Sequence, residues 1–308
     1  MGIGNILMDF LSPILQSIGQ YMPGEIFPHF FITDNGPGLF ENSLVSALFV
    51  TFLACIIGTF LMIRNLSMLG DGLAHVSFGG ICVGIAIGYA YPLIYALIFS
   101  IISSIMIFEM QRREILSGDA SIAIFSTGML GFGLFVLKVW GGGITLDVEG
   151  YLYGNLLLID EENLDLIIII SIFSIFSISL IRNALLATSI DPIAARVQGV
   201  PAREIGLFFS IITAAVIVSM VKIVGVLLVT ALLITPAATA QQVGRSFRSC
   251  LILSQFFGFI SVFIGLYISA ETRAGSGSTI ALVTAIIFVI VSIFTNILLP
   301  RLFPQNYS

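Results

Sequence analysis

Long apolar runs separated by short polar ones follow one another along nearly the whole chain. Bounded by charged residues, Gly and Pro, they fall near residues 43-63, 66-90, 92-110, 120-139, 165-181, 204-221, 224-243, 249-269 and 279-299. Each approaches the length a helix needs to cross a hydrocarbon layer of about 30 Å at about 1.5 Å per residue. A segment facing lipid must satisfy its backbone hydrogen bonds internally, so helix is the expected conformation. The pattern predicts an all-α, polytopic membrane protein with about nine transmembrane helices, within a range of eight to ten.

The two ends depart from this pattern. Between Ile3 and Ile18 the chain is apolar but short and interrupted by Pro13, and Pro23, Pro28 and Pro37 follow. Residues 1-42 read as an N-terminal leader holding an interfacial amphipathic helix, with a tenth span as the alternative. No basic stretch precedes its apolar run and no small-residue cleavage site follows, so no cleaved signal peptide is expected. The transmembrane domain is taken as residues 43-300, and residues 301-308 as a short C-terminal tail.

Composition sharpens the class. Apolar residues make up 58% of the 308 and charged residues only 9%, against about a quarter charged in an average soluble domain. The net charge of -5 offers no basic footprint for nucleic acid. Cys55, Cys82 and Cys250 stand singly inside apolar runs without CxxC spacing and read as small buried apolar residues. If the first span runs inward, Arg64, Arg112, Arg113, Arg182, Arg196, Arg203, Arg245, Arg248 and Arg301 fall on one side. Only Lys138, Lys222 and Arg273 fall on the other, so the first side is assigned to the cytoplasm. Asp147, Glu149, Asp160, Glu161, Glu162 and Asp165 are then external, as a cation-attracting loop, a partner dock or a plain solvated loop.

One acidic residue does not fit the loops. Asp71 lies inside an apolar run, where a carboxylate costs about 2.5 kcal/mol or more and so needs a partner, a cation or water. On a helix continuous from Arg64, Asp71 would lie about 10 Å and His75 about 16 Å deep, towards mid-membrane. Four residues apart, the two share one helix face. A carboxylate and an imidazole together suit manganese, zinc or ferrous iron, with further ligands from elsewhere. A hydrogen-bonded pair that only packs helices, or a proton relay, would use the same spacing. Gly70, Gly72, Gly79, Gly80, Gly84 and Gly88 flank the pair. They permit close helix packing, and around Asp71 they would also permit a helix break around an ion.

Two further stretches stand out. Residues 189-201 form a polar cytoplasmic segment that reads as a short helix, with Asp191 as cap, Pro192 in the first turn and Gly199 as its end. It is either a connector or an element that a cytoplasmic motor pushes. Pro236 falls deep in the seventh run between Thr235 and Thr239, where it frees a backbone carbonyl. The threonines either refill that gap or, with the kink, line a path. No G-x-x-x-x-G-K-[ST] phosphate loop and no H-E-x-x-H or G-x-S-x-G spacing occurs, so the chain is not expected to hydrolyse ATP or to be an enzyme.

These residues carry a family resemblance. Arg64-Asn-Leu-Ser-Met-Leu-Gly-Asp-Gly-Leu-Ala-His75 resembles the signature of permease subunits of bacterial ATP-binding-cassette importers for manganese, zinc and iron. Asp119-Ala-Ser-Ile-Ala-Ile, Leu152-Tyr-Gly-Asn155, Asp191 through Pro201, and Val224-Gly-Val-Leu-Leu-Val through Thr235-Pro-Ala-Ala-Thr-Ala240 match in the same order. The resemblance spans roughly residues 43-300. It implies a type II ABC importer-like permease fold in a prokaryotic cytoplasmic membrane. It further implies a second copy of the chain, cytoplasmic ABC ATPase subunits docked on residues 189-201, and an extracellular or periplasmic solute-binding protein. Asp191, Pro192, Ala195, Arg196, Gly199 and Pro201 would then couple to the ATPase, and Asp71 and His75 would contact the transported ion, Mn²⁺ or Zn²⁺ with Fe²⁺ as a third candidate. No permanently bound cofactor is implied. Val76-Ser-Phe-Gly79 departs from the family's usual Val-Leu-Pro-Gly, so any helix break there should differ in shape. An ion-coupled secondary carrier, a non-transporting scaffold and an intramembrane enzyme are the competing classes.

Overall fold

The computed structural model describes residues 41-88, 91-143, 146-154, 161-226 and 229-295, with a few positions before them. The leader assigned to residues 1-42 and the tail assigned to 301-308 lie almost wholly outside the described residues. Among the described residues every regular element is helical. In chain order these are α1 (Glu41–Ile63), α2 (Met68–Ala86), α3 (Pro92–Arg112), α4 (Gly118–Trp140), α5 (Leu146–Tyr153), α6 (Glu161–Ile190), α7 (Pro192–Val197), α8 (Ala202–Val224), α9 (Val229–Val243), α10 (Phe247–Thr272) and α11 (Ser276–Ile293). Eight of them are long and apolar enough to cross a membrane. The chain is a polytopic helical membrane protein.

Local chemistry sets the boundaries. Ser117 opens α4 by accepting from the Ala120 amide, Ser246 opens α10 by accepting from the Ser249 amide, and Pro92 stands at the start of α3. At the end of α1, Asn65 adopts a left-handed conformation (φ 55°) and the Leu66 amide bonds back to the Leu61 carbonyl at 2.9 Å. Residues 64-67 therefore turn the chain, and the run expected at 66-90 is helical only from Met68 to Ala86. Gly88, expected to continue the packing stripe, instead ends that helix with φ 75°.

The expected span at 224-243 is also shorter. Gly225 (φ 87°, ψ 154°) takes a conformation essentially reserved for glycine, and α9 holds only 15 residues, about 22 Å. The reason is tertiary. A Cβ on Gly225 would lie 2.3 Å from the Gly154 amide nitrogen, and one on Gly154 would lie 2.5 Å from the Val224 carbonyl carbon. The turn after α5 and the break before α9 thus rest backbone on backbone, which joins two separated motifs in one contact.

Burial sorts the helices. Over their apolar windows α1, α2 and α8 are 78, 78 and 72% buried, whereas α3, α4, α6, α10 and α11 range from 28 to 39%. The outer helices present apolar stripes such as Ile94, Ile98, Ile102 and Met106 on α3, the surface expected against lipid. α2 is wedged between α3 and α4. A Cβ on Gly79 would stand 2.3 Å from the Met129 carbonyl oxygen, and one on Gly80 would stand 2.8 Å from Ala96 Cα. Here the glycines serve close packing: α2 runs unbroken past Asp71 and through Val76-Ser-Phe-Gly79, so the expected break around an ion is absent.

Candidate functional site

Almost all of α2 is sealed. From Met68 to Gly84 only Met68, Asp71 and His75 escape burial, and their spacing of three and four puts them on one stripe. Because the helix starts at Met68, the continuous helix from Arg64 does not form. Asp71 lies about 5 Å and His75 about 11 Å along α2 from its first residue.

Asp71 is 42% exposed and His75 23%. His75 Nε2 and Asp71 Oδ2 stand 3.7 Å apart, too far for a hydrogen bond. An ion about 2.1 Å from each atom would subtend roughly 120° at that separation, so one cation fits between them with little movement. His75 Nδ1 is buried and has no hydrogen-bond partner. Asp71 Oδ1 accepts a hydrogen bond from Thr230 Oγ1 at 3.3 Å. Thr230 belongs to the first turn of α9, where the helix dipole favours a nearby carboxylate. Among the described residues no cluster of three or more His, Cys, Asp or Glu side chains occurs. A cation held by the pair would complete its shell with hydroxyl, water or a second molecule.

Thr230 was not singled out as a site residue by pattern. Its only signal is a hydroxyl five residues after Gly225, the glycine that breaks the run. The other kink residues stay apart from the pair. Pro236 is buried within α9, and Thr239 Oγ1 donates to the Thr235 carbonyl at 2.7 Å. That bond does not reach the Leu232 carbonyl, which Pro236 leaves without its usual amide donor.

Beside the turn that joins α1 to α2, residues 189-201 fold around α7. Asp191 caps it by accepting from the Ile193 and Ala194 amides, both at 2.9 Å. Pro192 is its first residue, Ala195 is buried against the bundle, and Arg196 is exposed. Gly199 turns out of it with φ 80°, and Pro201 precedes α8. Ile190, Ile193 and Val197 on this segment are 70, 73 and 85% exposed, an apolar strip on a polar connector.

A bundle of apolar-faced helices around a sealed, glycine-packed helix with one open carboxylate-imidazole stripe is the fold of a polytopic membrane protein. Comparison with known proteins gives the family: residues 38–295 match the ABC 3 transport family, and the chain belongs to it. The manganese transport system membrane protein MntC of Listeria innocua is 29% identical over 257 residues, 83% of this chain and 91% of that one. The manganese import system permease protein ScaB of Streptococcus gordonii is 29% identical over 250 residues, 81% and 89% of the two chains. Among solved structures, PsaBC from Streptococcus pneumoniae in complex with Fab superposes with a TM-score of 0.75 at 27% identity, covering 86% of this chain and 95% of that one.

Proposed function

We infer that this chain is the transmembrane permease subunit of an ATP-driven importer of divalent transition metal ions, located in a prokaryotic cytoplasmic membrane. The observation that carries this reading is the Asp71–His75 stripe, two metal-type donors 3.7 Å apart on an otherwise sealed helix. The names of the relatives support Mn²⁺ as cargo ahead of Zn²⁺ and Fe²⁺. A carboxylate 42% exposed inside a spanning helix needs cover. A second copy facing it across a two-fold axis would supply that cover and bring the same pair again, doubling the ligand set. The ion then passes between the two copies, touching Asp71 and His75, with Thr230 holding the carboxylate.

The sequence has no G-x-x-x-x-G-K-[ST] loop, so the energy comes from cytoplasmic ABC ATPase subunits. Asp191, Pro192, Ala195, Arg196, Gly199 and Pro201 build the segment on which they dock, and the exposed strip of Ile190, Ile193 and Val197 supports an apolar contact there. An external solute-binding protein delivers the ion to the opposite face.

The test is uptake into proteoliposomes holding this chain with its ATPase and binding protein. Mn²⁺ should accumulate only with ATP, and Asp71→Ala or His75→Ala, assembled normally, should lower uptake at least tenfold. Unchanged uptake in both variants would sink the site. Flux that ignores ATP but follows a proton gradient would replace the importer with an ion-coupled carrier.

A further inference from the structure

Four arginines from three separate stretches of the sequence converge on one cavity of about 460 Å³ at the end of the bundle where α1, α3 and α6 finish and α7 and α8 begin. Arg64, Arg112, Arg196 and Arg203 all line it. Arg64 forms the inner wall. Its Nε donates to Ser189 Oγ at 2.9 Å, its second terminal nitrogen donates to Thr188 Oγ1 at 3.1 Å, and its guanidinium lies 5.0 Å over the Phe209 ring. Burial holds its pKa down to about 10. Glu109 is shared by Arg112, Arg113 and Arg203. Among the described residues neither Arg64 nor Arg196 has a carboxylate within the 4.0 Å of an ion pair.

The preference of arginine for cytoplasmic loops explains why these residues lie at this end. It does not explain a half-buried guanidinium with no carboxylate in ion-pair range among the described residues, which is costly unless something anionic arrives. Nor does it explain convergence on a recess. Planar guanidinium forks suit phosphoryl oxygens, and a recess of this size holds a whole small molecule, several times the bulk of one carboxylate side chain. The same charge makes the recess unsuited to a departing divalent cation.

We propose that this cavity is an anion site that takes a phosphoryl group, from an anionic lipid headgroup or a soluble phosphate compound, and so ties α7 to α1, α3 and α8. The site does not use Asp71 or His75, so it can fail without the transport reading failing.

Its test uses the full chain in nanodiscs. Pyrophosphate binding is titrated calorimetrically in pure phosphatidylcholine, and retained phosphatidylglycerol is counted by native mass spectrometry in discs containing one fifth of that lipid. Wild type should bind at least one of the probes, with affinity falling at least threefold between 50 and 300 mM KCl. Arg196→Gln with Arg203→Gln should lose about tenfold, about 1.4 kcal/mol, and Arg64→Gln more. Should Arg64→Gln fail to fold, the double variant of the two outer arginines carries the test. Binding of pyrophosphate alone assigns a soluble phosphate, and retention of phosphatidylglycerol alone assigns a headgroup. Equal affinities in wild type and the double variant, or loss of both probes once the ATPase is assembled, would overturn the site; the latter would hand the arginines to the partner subunit.

Discussion

Asp71 and Arg64 stand seven positions apart in the chain, on either side of the turn between α1 and α2, yet they anchor opposite kinds of site. Asp71 projects from the open stripe of a rigid helix, with one hydroxyl donor and one imidazole for company. Arg64 faces a recess, held by two hydroxyls and an aromatic ring, with other arginines around it. Among the described residues the first has no basic partner but His75, and the second has no carboxylate in ion-pair range. A charge inside a span and one just past a span's end can each lack a full partner within their own chain. At Asp71 the carboxylate stays 42% exposed beside His75 and Thr230, and at Arg64 hydroxyls and a ring hold the guanidinium in place with no carboxylate in ion-pair range among the described residues.

The largest effect is expected from overpacking the contact between α2 and α4. Gly79→Val would force its new atoms into the Met129 carbonyl, and because backbone cannot yield as a side chain does, the expected cost is about 3 kcal/mol or more. Thermal unfolding in detergent reads this directly, and a melting point within a degree of wild type would show that α2 and α4 are not locked there.

A finer cut removes only the donor to the carboxylate. Thr230→Val should leave folding intact and weaken metal capture by about 1 kcal/mol, a rise of roughly fivefold in the Mn²⁺ concentration for half-maximal uptake. No change would mean that the Thr230 contact is incidental to transport.

On the basic side, Asp191→Ala removes the cap that starts α7, at a cost of about 1 kcal/mol. The expected outcome is weaker coupling, seen as lower transport-stimulated ATPase activity with unchanged metal binding to the permease. Weaker metal binding in this variant would mean that the two sites are not separate.

The smallest effect is the control. A Cβ on Gly131 meets nothing within 4 Å, so Gly131→Ala should raise stability slightly, by about 0.5 kcal/mol, because alanine loses less backbone entropy than glycine in a helix. A large loss would reveal that this open face of α4 is covered in the assembled protein.

Periodicity and composition determined the class by themselves. A run that must hide its backbone from lipid has little choice but helix, so eight spans are legible, and so are the cap at Asp191 and the stop at Gly199. The pairing of Asp71 with His75 is equally local, because one turn of any α-helix brings residues four apart together. What the tertiary structure alone decided is every contact between separated segments. Gly225 ends a run that reads as continuous because Gly154, on a distant turn, presses backbone against it. Thr230 reaches Asp71 only because that break lets α9 begin beside α2. The arginines at positions 64, 112, 196 and 203 look in sequence like ordinary markers of orientation, and only the packing of helix ends gathers them round one recess. Sequence reports what a residue costs in a membrane; which distant group meets that cost depends on how closely the helices approach.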